Sequence, residues 1–409
     1  MRLKDLDIFH VAPPEGEWGG RYFCFVKVTA DNGIVGWGEC YASSVGPKAM
    51  AAVIEDVFER HMAGEDPSNV EKMFRRAYSS GFTQRPDLTV MGAFSGLEIA
   101  CWDMVGKALE RPVHALLGGR VADRIRAYSY IYPMDHHDET TFFGDPDAHG
   151  EAAAAMVEEG WTAVKFDPAG PYTIYSGHQP AMWDMERSEA TCKAIRAAVG
   201  PRADLLFGTH GQFTTSGAIR LSRRIEPYDP LWFEEPIPPD NLLEFAKVAA
   251  ATRVPISTGE RLTTKAEFAT LLRTGGASIL QPALGRVGGL WEAKKIGTMA
   301  EAFNAEIAPH LYAGPIEWAA NLHLCTASPN ALIAESISTP GSFHEALVSR
   351  PFRVEGGHVE VGDAPGLGME VDEAVATAHP YTGDRLHLEM QEAPHVYDET
   401  TFFAGGSAD

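Results

Sequence analysis

The chain has 409 residues, 45% of them hydrophobic and 22% charged, a composition that suits a globular protein with one large domain and a smaller companion. Its 56 acidic against 34 basic residues leave a formal charge of −22, a field that repels phosphate backbones and argues against a nucleic-acid partner. Five scattered cysteines without CxxC spacing read as reduced thiols, and no leader pattern or membrane-length apolar run is apparent, so a cytoplasmic location without membrane association is expected.

In chain order, residues 22–29 form a β-rich run that turns at Asn32-Gly33 into a second run over 34–39, the pattern of a hairpin. Three helical segments follow near 47–63, 67–80 and 91–109, and Leu116-Leu117-Gly118-Gly119-Arg120 marks a domain boundary. From about 125 short β runs alternate with room for helices: 126–131, 163–166, 204–209, 231–234, 255–258, 278–281, 306–309 and 332–335. The segment 242–249 carries apolar residues at helical spacing. Eight strands with crossover helices describe a (β/α)8-type barrel better than an open sheet. The alternation stops after about 345, and Pro365-Gly366-Leu367-Gly368 opens a tail. The expected organisation is an N-terminal α+β domain over 1–120, the barrel over 121–345, and a tail over 346–409 that returns to the first domain. The hexapeptide Asp-Glu-Thr-Thr-Phe-Phe occurs at 138–143 and again at 398–403, with no physical account.

Two acidic strand ends stand out, Trp232-Phe233-Glu234-Glu235-Pro236 and Ser257-Thr258-Gly259-Glu260-Arg261. A carboxylate ending an apolar strand costs burial energy unless a cation or a donor compensates it. Two at the same end of consecutive parallel strands would enter one cleft, where Mg²⁺ takes protein carboxylates together with ligand oxygens. Surface turn carboxylates are the alternative reading. A local cation would also draw an anionic substrate toward this acidic protein.

Together with Gly33-Ile34-Val35-Gly36-Trp37-Gly38-Glu39, Ala100-Cys101-Trp102-Asp103-Met104-Val105-Gly106-Lys107, Leu117-Gly118-Gly119, Val164-Lys165-Phe166-Asp167, Gln281-Pro282, Gly288-Gly289 and Ala308-Pro309-His310, these phrases resemble the enolase superfamily in its mandelate racemase/muconate lactonizing enzyme-like branch, over nearly the whole chain. The resemblance implies a barrel capped by an α+β domain built from the N-terminus and the tail. It also implies a shared first step, in which a base removes the proton α to a carboxylate and Mg²⁺ stabilises the enediolate.

By the same resemblance Glu234 and Glu260 are the second and third metal ligands. Lys165 is a base or a cation for the substrate carboxylate, and Asp167, where the family carries a second lysine, is expected to bind substrate. Lys165 could also be a lysine snorkelling from its strand end. His310 stands at the family's histidine base, but its orienting aspartate is replaced by Ala283, so a neutral donor or acid is expected rather than a strong base. Phe207-Gly208-Thr209-His210-Gly211-Gln212 is similar to the Asp-x-His-Gly-Arg segment of sugar-acid dehydratases such as galactonate dehydratase, which makes His210 the acid for a departing β-hydroxyl. The first metal ligand of that segment is Gly208 here. Either His210 binds the metal itself, or waters fill the gap, or binding is weak or absent; Asp204 lies at the wrong end of its strand to substitute. Mg²⁺ is the expected cofactor, with Mn²⁺ possible; an imidazole ligand would make Mg²⁺ less natural than Mn²⁺ or Zn²⁺. Glu335 matches a position that binds the substrate carboxylate or enediolate, though a solvated strand-end acid reads as well. Arg21 lies where the capping domain lends a loop to the site. The loops over 135–138 and 172–179 should set specificity, and the His136-His137 pair in the first could mimic a metal cluster.

The expected function is dehydration of a hydroxylated sugar acid of the aldonate or aldarate class to a 2-keto-3-deoxy acid. A cycloisomerase, racemase or epimerase acting α to a carboxylate is the alternative, and a non-catalytic acid-binding barrel is the alternative of another class. The expected partners are a small acid sugar and further copies of the chain.

Overall fold

The computed structural model describes residues 1–17, 19–41, 44–175, 177–337, 342–395 and 397. Trp18 and the second hexapeptide copy lie outside them. Strands β1 (Leu3–Val11), β2 (Phe23–Ala30) and β3 (Val35–Glu39) form an antiparallel sheet in that order, with Gly33 in the turn at φ 85°. The β2–β3 hairpin is the expected one. β1 is an addition: its register slips between Leu3 and Asp5, and that irregularity blurs the alternation by which a strand is read.

Helices Pro47–His61, Val70–Ser79 and Leu88–Ala108 cover the sheet. The Gly-Trp-Gly-Glu phrase of β3 has a steric cause, because a Cβ at Gly36 or Gly38 would collide with the carbonyl oxygens of Ala100 and Gly96 on the third helix. Asp103 of that helix is fully buried and accepts hydrogen bonds from the Trp37 N–H (2.9 Å) and the Leu367 N–H (2.8 Å), while Lys107 neutralises it at 2.7 Å. One carboxylate thus ties sheet, helix and tail. Contrary to the expectation that no apolar run reaches membrane-spanning length, Leu88–Ala108 is long and apolar enough to cross a bilayer, but most of it is buried within the protein.

The barrel strands are β4 (Ile125–Tyr130), β5 (Ala163–Phe166), β6 (Asp204–Phe207), β7 (Trp232–Glu234), β8 (Ile256–Thr258), β9 (Ile279–Leu280), β10 (Glu306–Ile307) and β11 (Ala334–Glu335). Each pairs in parallel with the next from β4 to β10, and β11 pairs with β4. The ring closes where the Leu332 N–H donates to the Ile307 carbonyl at 2.9 Å. All eight expected strands are present. Several stop earlier than expected because their last residues, such as Gly208, Gln281 and Pro309, leave the ladder to form the barrel mouth. A short strand β12 (His358–Val359) then pairs antiparallel with β4 at the opposite end of the barrel.

The tail packs on the N-terminal domain, with Pro380 bridging Val11 and the Tyr381 N–H donating to the His10 carbonyl at 2.8 Å. It then goes further than expected. The His387 ring lies between the carbonyls of Tyr22 (2.8 Å) and Tyr312 (3.1 Å), and Gln391 pairs with the loop after β5 through Tyr172 and Ile174. His395 reaches Asp184 on the barrel helix Met182–Val199 at 3.2 Å.

Glu39, the last residue of β3, joins the capping domain to the barrel. Its carboxylate accepts from the Gly314 and Glu317 N–H groups at the start of helix Pro315–Thr326. Burial, and then the neighbouring Glu317 carboxylate, push Glu39 up to about 8. An acid with a raised folded-state pKa stabilises the fold in its neutral form, fully below the ordinary carboxylate range and progressively less as pH climbs toward 8. The difference in melting temperature between wild type and Glu39→Gln should therefore move against the wild type from pH 5 to pH 8. A pH-independent difference would show that this carboxyl is not protonated in the folded protein.

Candidate active site

The chemistry-bearing residues converge because parallel strands place their C-terminal ends at one rim. A cavity of about 420 Å³ opens there, within the roughly 300–1,000 Å³ of small-molecule sites. Of the expected site residues, Lys165, Asp167, His210, Glu260, His310 and Glu335 line it. Glu234 lies beneath, fully buried against Lys165.

Lys165 is the centre of the arrangement. Its ammonium is 1% exposed and donates to Glu234 Oε1 at 2.7 Å and to Glu335 Oε1 at 2.9 Å. Burial alone would favour the neutral amine, but Glu234 and Glu335 more than offset it and hold the pKa well above the ordinary lysine value. In the absence of a metal Lys165 is thus paired to two buried carboxylates, and it is not a lysine reaching for solvent.

His310 does not lack a partner. The expectation of a weakly held, neutral ring looked to strand six, where Ala283 stands. The carboxylates come instead from strands five and eight, with Nδ1 3.2 Å from both Glu260 Oε2 and Glu335 Oε2. Burial would lower the imidazole, but Glu260 and Glu335 raise it above its usual value. Glu335 also accepts from the Leu311 N–H at 2.7 Å. Burial opposes its charge, yet Lys165 and then His310 hold it down at about 2. Glu335 is therefore no solvated strand-end acid.

His210 faces Asp167, Nδ1 to Oδ2 at 3.1 Å, with its ring 4.4 Å from that of Tyr172. Its backbone N–H donates to Gln212 Oε1 at 2.8 Å, which fixes the turn after β6. Burial would lower this imidazole too, but Glu260 and Asp167 raise it.

The Phe-Glu-Glu-Pro phrase splits its two acids. Glu234 points inward, and Glu235, at φ 44°, turns toward the loop after β8. There its carboxylate accepts from the Thr258 hydroxyl and from the Gly259 N–H (3.1 Å), and faces Arg261 at 3.4 Å. Arg261 also stands 3.6 Å from Glu260, so Glu235 braces the turn that presents Glu260.

A divalent cation fits the donor chemistry. Glu234 Oε2 and Asp167 Oδ1 are buried oxygens without a hydrogen-bond partner, and all the candidate donors are carboxylates, which suits Mg²⁺ or Mn²⁺. Among the described residues, the group of three whose ligand atoms lie within 4.8 Å of one another is elsewhere: His136, His137 and Glu151. His137 Nδ1 accepts from the Met134 N–H (3.1 Å), which turns Nε2–H toward Glu151 at 3.5 Å, and the contact reads as a hydrogen bond of a neutral ring rather than as a ligand set. In the mouth, Lys165 and the imidazoles are interleaved between the carboxylates and spread them apart.

Arg21 is not among the lining residues. It holds the tail, donating to the Leu386 carbonyl at 3.0 Å and meeting Glu389 at 3.4 Å, and it acts on the cavity through the wall formed by Leu388, Glu389 and Met390. Sequence reasoning missed that wall, which carries no motif. It also missed Tyr130 and Tyr132, whose alternation with Tyr128 along the first barrel strand and just past its end was a usable signal, and Arg286, which stacks 3.6 Å from the Tyr41 ring centre and donates to the Glu260 carbonyl.

Replacing Glu335 by Gln leaves two buried cations short of a carboxylate. The variant should lose about 3 kcal/mol of unfolding free energy by urea titration, and NMR should show His310 titrating at lower pH in the metal-free protein. Unchanged His310 titration would assign its charge to Glu260 alone.

The sequence profile described as "Enolase C-terminal domain-like" matches residues 148–375, and that described as "Mandelate racemase / muconate lactonizing enzyme, N-terminal domain" matches 16–118. The chain is 33% identical to the D-galactonate dehydratase of Ralstonia pickettii (strain 12J), over 92% of this chain and 93% of that protein. It is 32% identical to the D-xylonate dehydratase of Haloferax volcanii, over 90% and 88%. The solved structure of a mandelate racemase/muconate lactonizing enzyme-like protein from Roseovarius sp. TM1035 is 65% identical, with a TM-score of 0.96 over 97% of this chain and all of that one.

Proposed function

Since this chain belongs to the enolase superfamily, in its mandelate racemase/muconate lactonizing enzyme branch, we propose that it is a hydro-lyase that dehydrates a hydroxylated sugar acid of the aldonate or aldarate class. The observation that carries the reading is the pair of carboxylate-backed imidazoles in one cavity, His310 on Glu260 and Glu335, and His210 on Asp167. Dehydration needs two proton carriers, one to remove a carbon-bound proton and one to protonate a departing oxygen. The dehydratases named among the relatives, for galactonate and xylonate, support the same class of substrate.

In this reading His310, deprotonated when substrate is bound, takes the proton α to the substrate carboxylate. Lys165 remains an ammonium and offsets the negative charge that develops on the carboxylate oxygens, a preorganised electrostatic contribution. His210 gives its proton to the β-hydroxyl, the C–O bond breaks with the electron pair leaving on oxygen, and water departs. The enol that remains takes up a proton at carbon to give the 2-keto-3-deoxy acid. Glu234 and Glu260 would hold Mg²⁺ or Mn²⁺, which when bound would stabilise charge on the substrate carboxylate as a Lewis acid. The aromatic rings of Tyr130, Tyr132 and Tyr172 line the same cavity and give it apolar surface for the carbon-bound hydrogens of the sugar.

Purified protein with Mg²⁺ should convert a member of an acid-sugar panel to a 2-keto product. His210→Asn should cut that product by about 10²–10⁴-fold while α-proton exchange in D₂O continues, and His310→Asn should stop both. Isomerised product without keto acid would favour a racemase or cycloisomerase. Continued keto-acid formation by His210→Asn at the wild-type rate would remove the histidine from the leaving step.

A further inference from the structure

Gly208 removes a carboxylate from the rim, and the register of the barrel shows which side chain stands beside the gap. Lys165 pairs with Leu206 and Phe166 with Phe207, while Phe207 pairs with Phe233 on the other side. The Gly208 N–H donates to the Phe166 carbonyl at 2.9 Å. Continuing the ladder by one residue puts Asp167, Gly208 and Glu234 on one tier of three adjacent strands. A Cβ built on Gly208 would meet Asp167 Oδ2 at 3.6 Å and Lys165 Cε at 3.4 Å. The space into which a side chain at 208 would project is therefore bordered by the Asp167 carboxylate.

The oxygens on either side lack partners. Glu234 is fully buried, with Oε1 taken by Lys165 and Oε2 without a hydrogen bond. Asp167 turns Oδ2 toward His210 Nδ1 at 3.1 Å, and both of its oxygens are buried without a hydrogen bond. A buried carboxylate oxygen with nothing to accept from is costly unless a cation completes it.

We propose that Asp167, at the end of the second barrel strand, is a ligand of the divalent cation and supplies across Gly208 the carboxylate that the third strand lacks. The proposal rests on the metal-dependent reading above. It gives Asp167 two bonds at once, Oδ1 to the cation and Oδ2 to His210, so the acid is positioned by a ligand instead of being one. The glycine suits the arrangement, because a second carboxylate at 208 would place like charge beside the first. Gly208 is not in the left-handed region, and the contacts of its added Cβ are ordinary van der Waals distances, so a residue larger than glycine can be built there for a test.

The test is Mn²⁺ binding to the chelator-treated full chain, followed by calorimetry and by the electron paramagnetic resonance of the free ion. Asp167→Asn should weaken Mn²⁺ on the order of tenfold or more, as Glu234→Gln and Glu260→Gln should, with far-ultraviolet circular dichroism unchanged. Adding Gly208→Asp to Asp167→Asn should return most of the lost affinity, because the carboxylate is moved by one strand and not removed. Wild-type affinity in Asp167→Asn, with binding lost in both glutamate variants, would overturn the proposal and leave the metal-dependent reading standing. Loss that Gly208→Asp does not restore would also overturn it, by showing that Asp167 acts through His210 and not as an oxygen donor. Absence of Mn²⁺ binding in the wild type at millimolar concentration would defeat both.

Discussion

Everything at the barrel rim is arranged around one buried ammonium. Lys165 cannot be taken out of water without anionic partners, and Glu234 and Glu335 supply them from the fourth and eighth barrel strands. Once Glu335 is fixed in that role, its second oxygen is available to His310 and to the Leu311 N–H, which sets the seventh strand's exit. Glu260 shares the same imidazole, so charge alternates around the mouth: ammonium, carboxylate, imidazole, carboxylate. Such a network is held by mutual compensation, and no member can be read alone. It also sets a lysine and an imidazole among the carboxylates of the mouth despite the chain's net charge of −22.

The eight barrel strands and the acidic strand ends were legible in the sequence because each is local: an apolar run, then a carboxylate, then a turn. What was not legible is which side chains meet across the ring. Ala283 suggested an unsupported His310, since a sequence shows the position where a partner is customary and not the reach of residues from other strands. Gly208 suggested a missing donor for the same reason, and the strand register brings Asp167 beside it. The tail wall was illegible on other grounds. Leu388, Glu389 and Met390 have no periodicity or motif, and their position follows from Arg21 and the Gln391 pairing.

The capping domain is held by close approach as much as by apolar burial. Gly36 and Gly38 let β3 lie against the long apolar helix at backbone distance, and Asp103 and Glu39 satisfy N–H groups that this tight packing and the nearby helix start would otherwise leave exposed in the interior. The motif reading and the packing agree here: the phrases that resemble the family are those that bring backbones together.

The capping domain is made from both ends of the chain, and some of its contacts, such as Tyr22 with His387, join residues 365 positions apart. In an open chain, closing a loop of that length carries an entropic penalty before any contact rewards it. The antiparallel pairing of Ile125 with Val359 places the entry and exit of the barrel side by side. A folded barrel therefore shortens the effective loop from 365 residues to roughly 130, most of them on the N-terminal side. Barrel closure therefore lowers the entropic cost of the two-ended cap by about 1 kcal/mol, and the cavity wall contributed by the tail depends on contacts made at both ends of the chain.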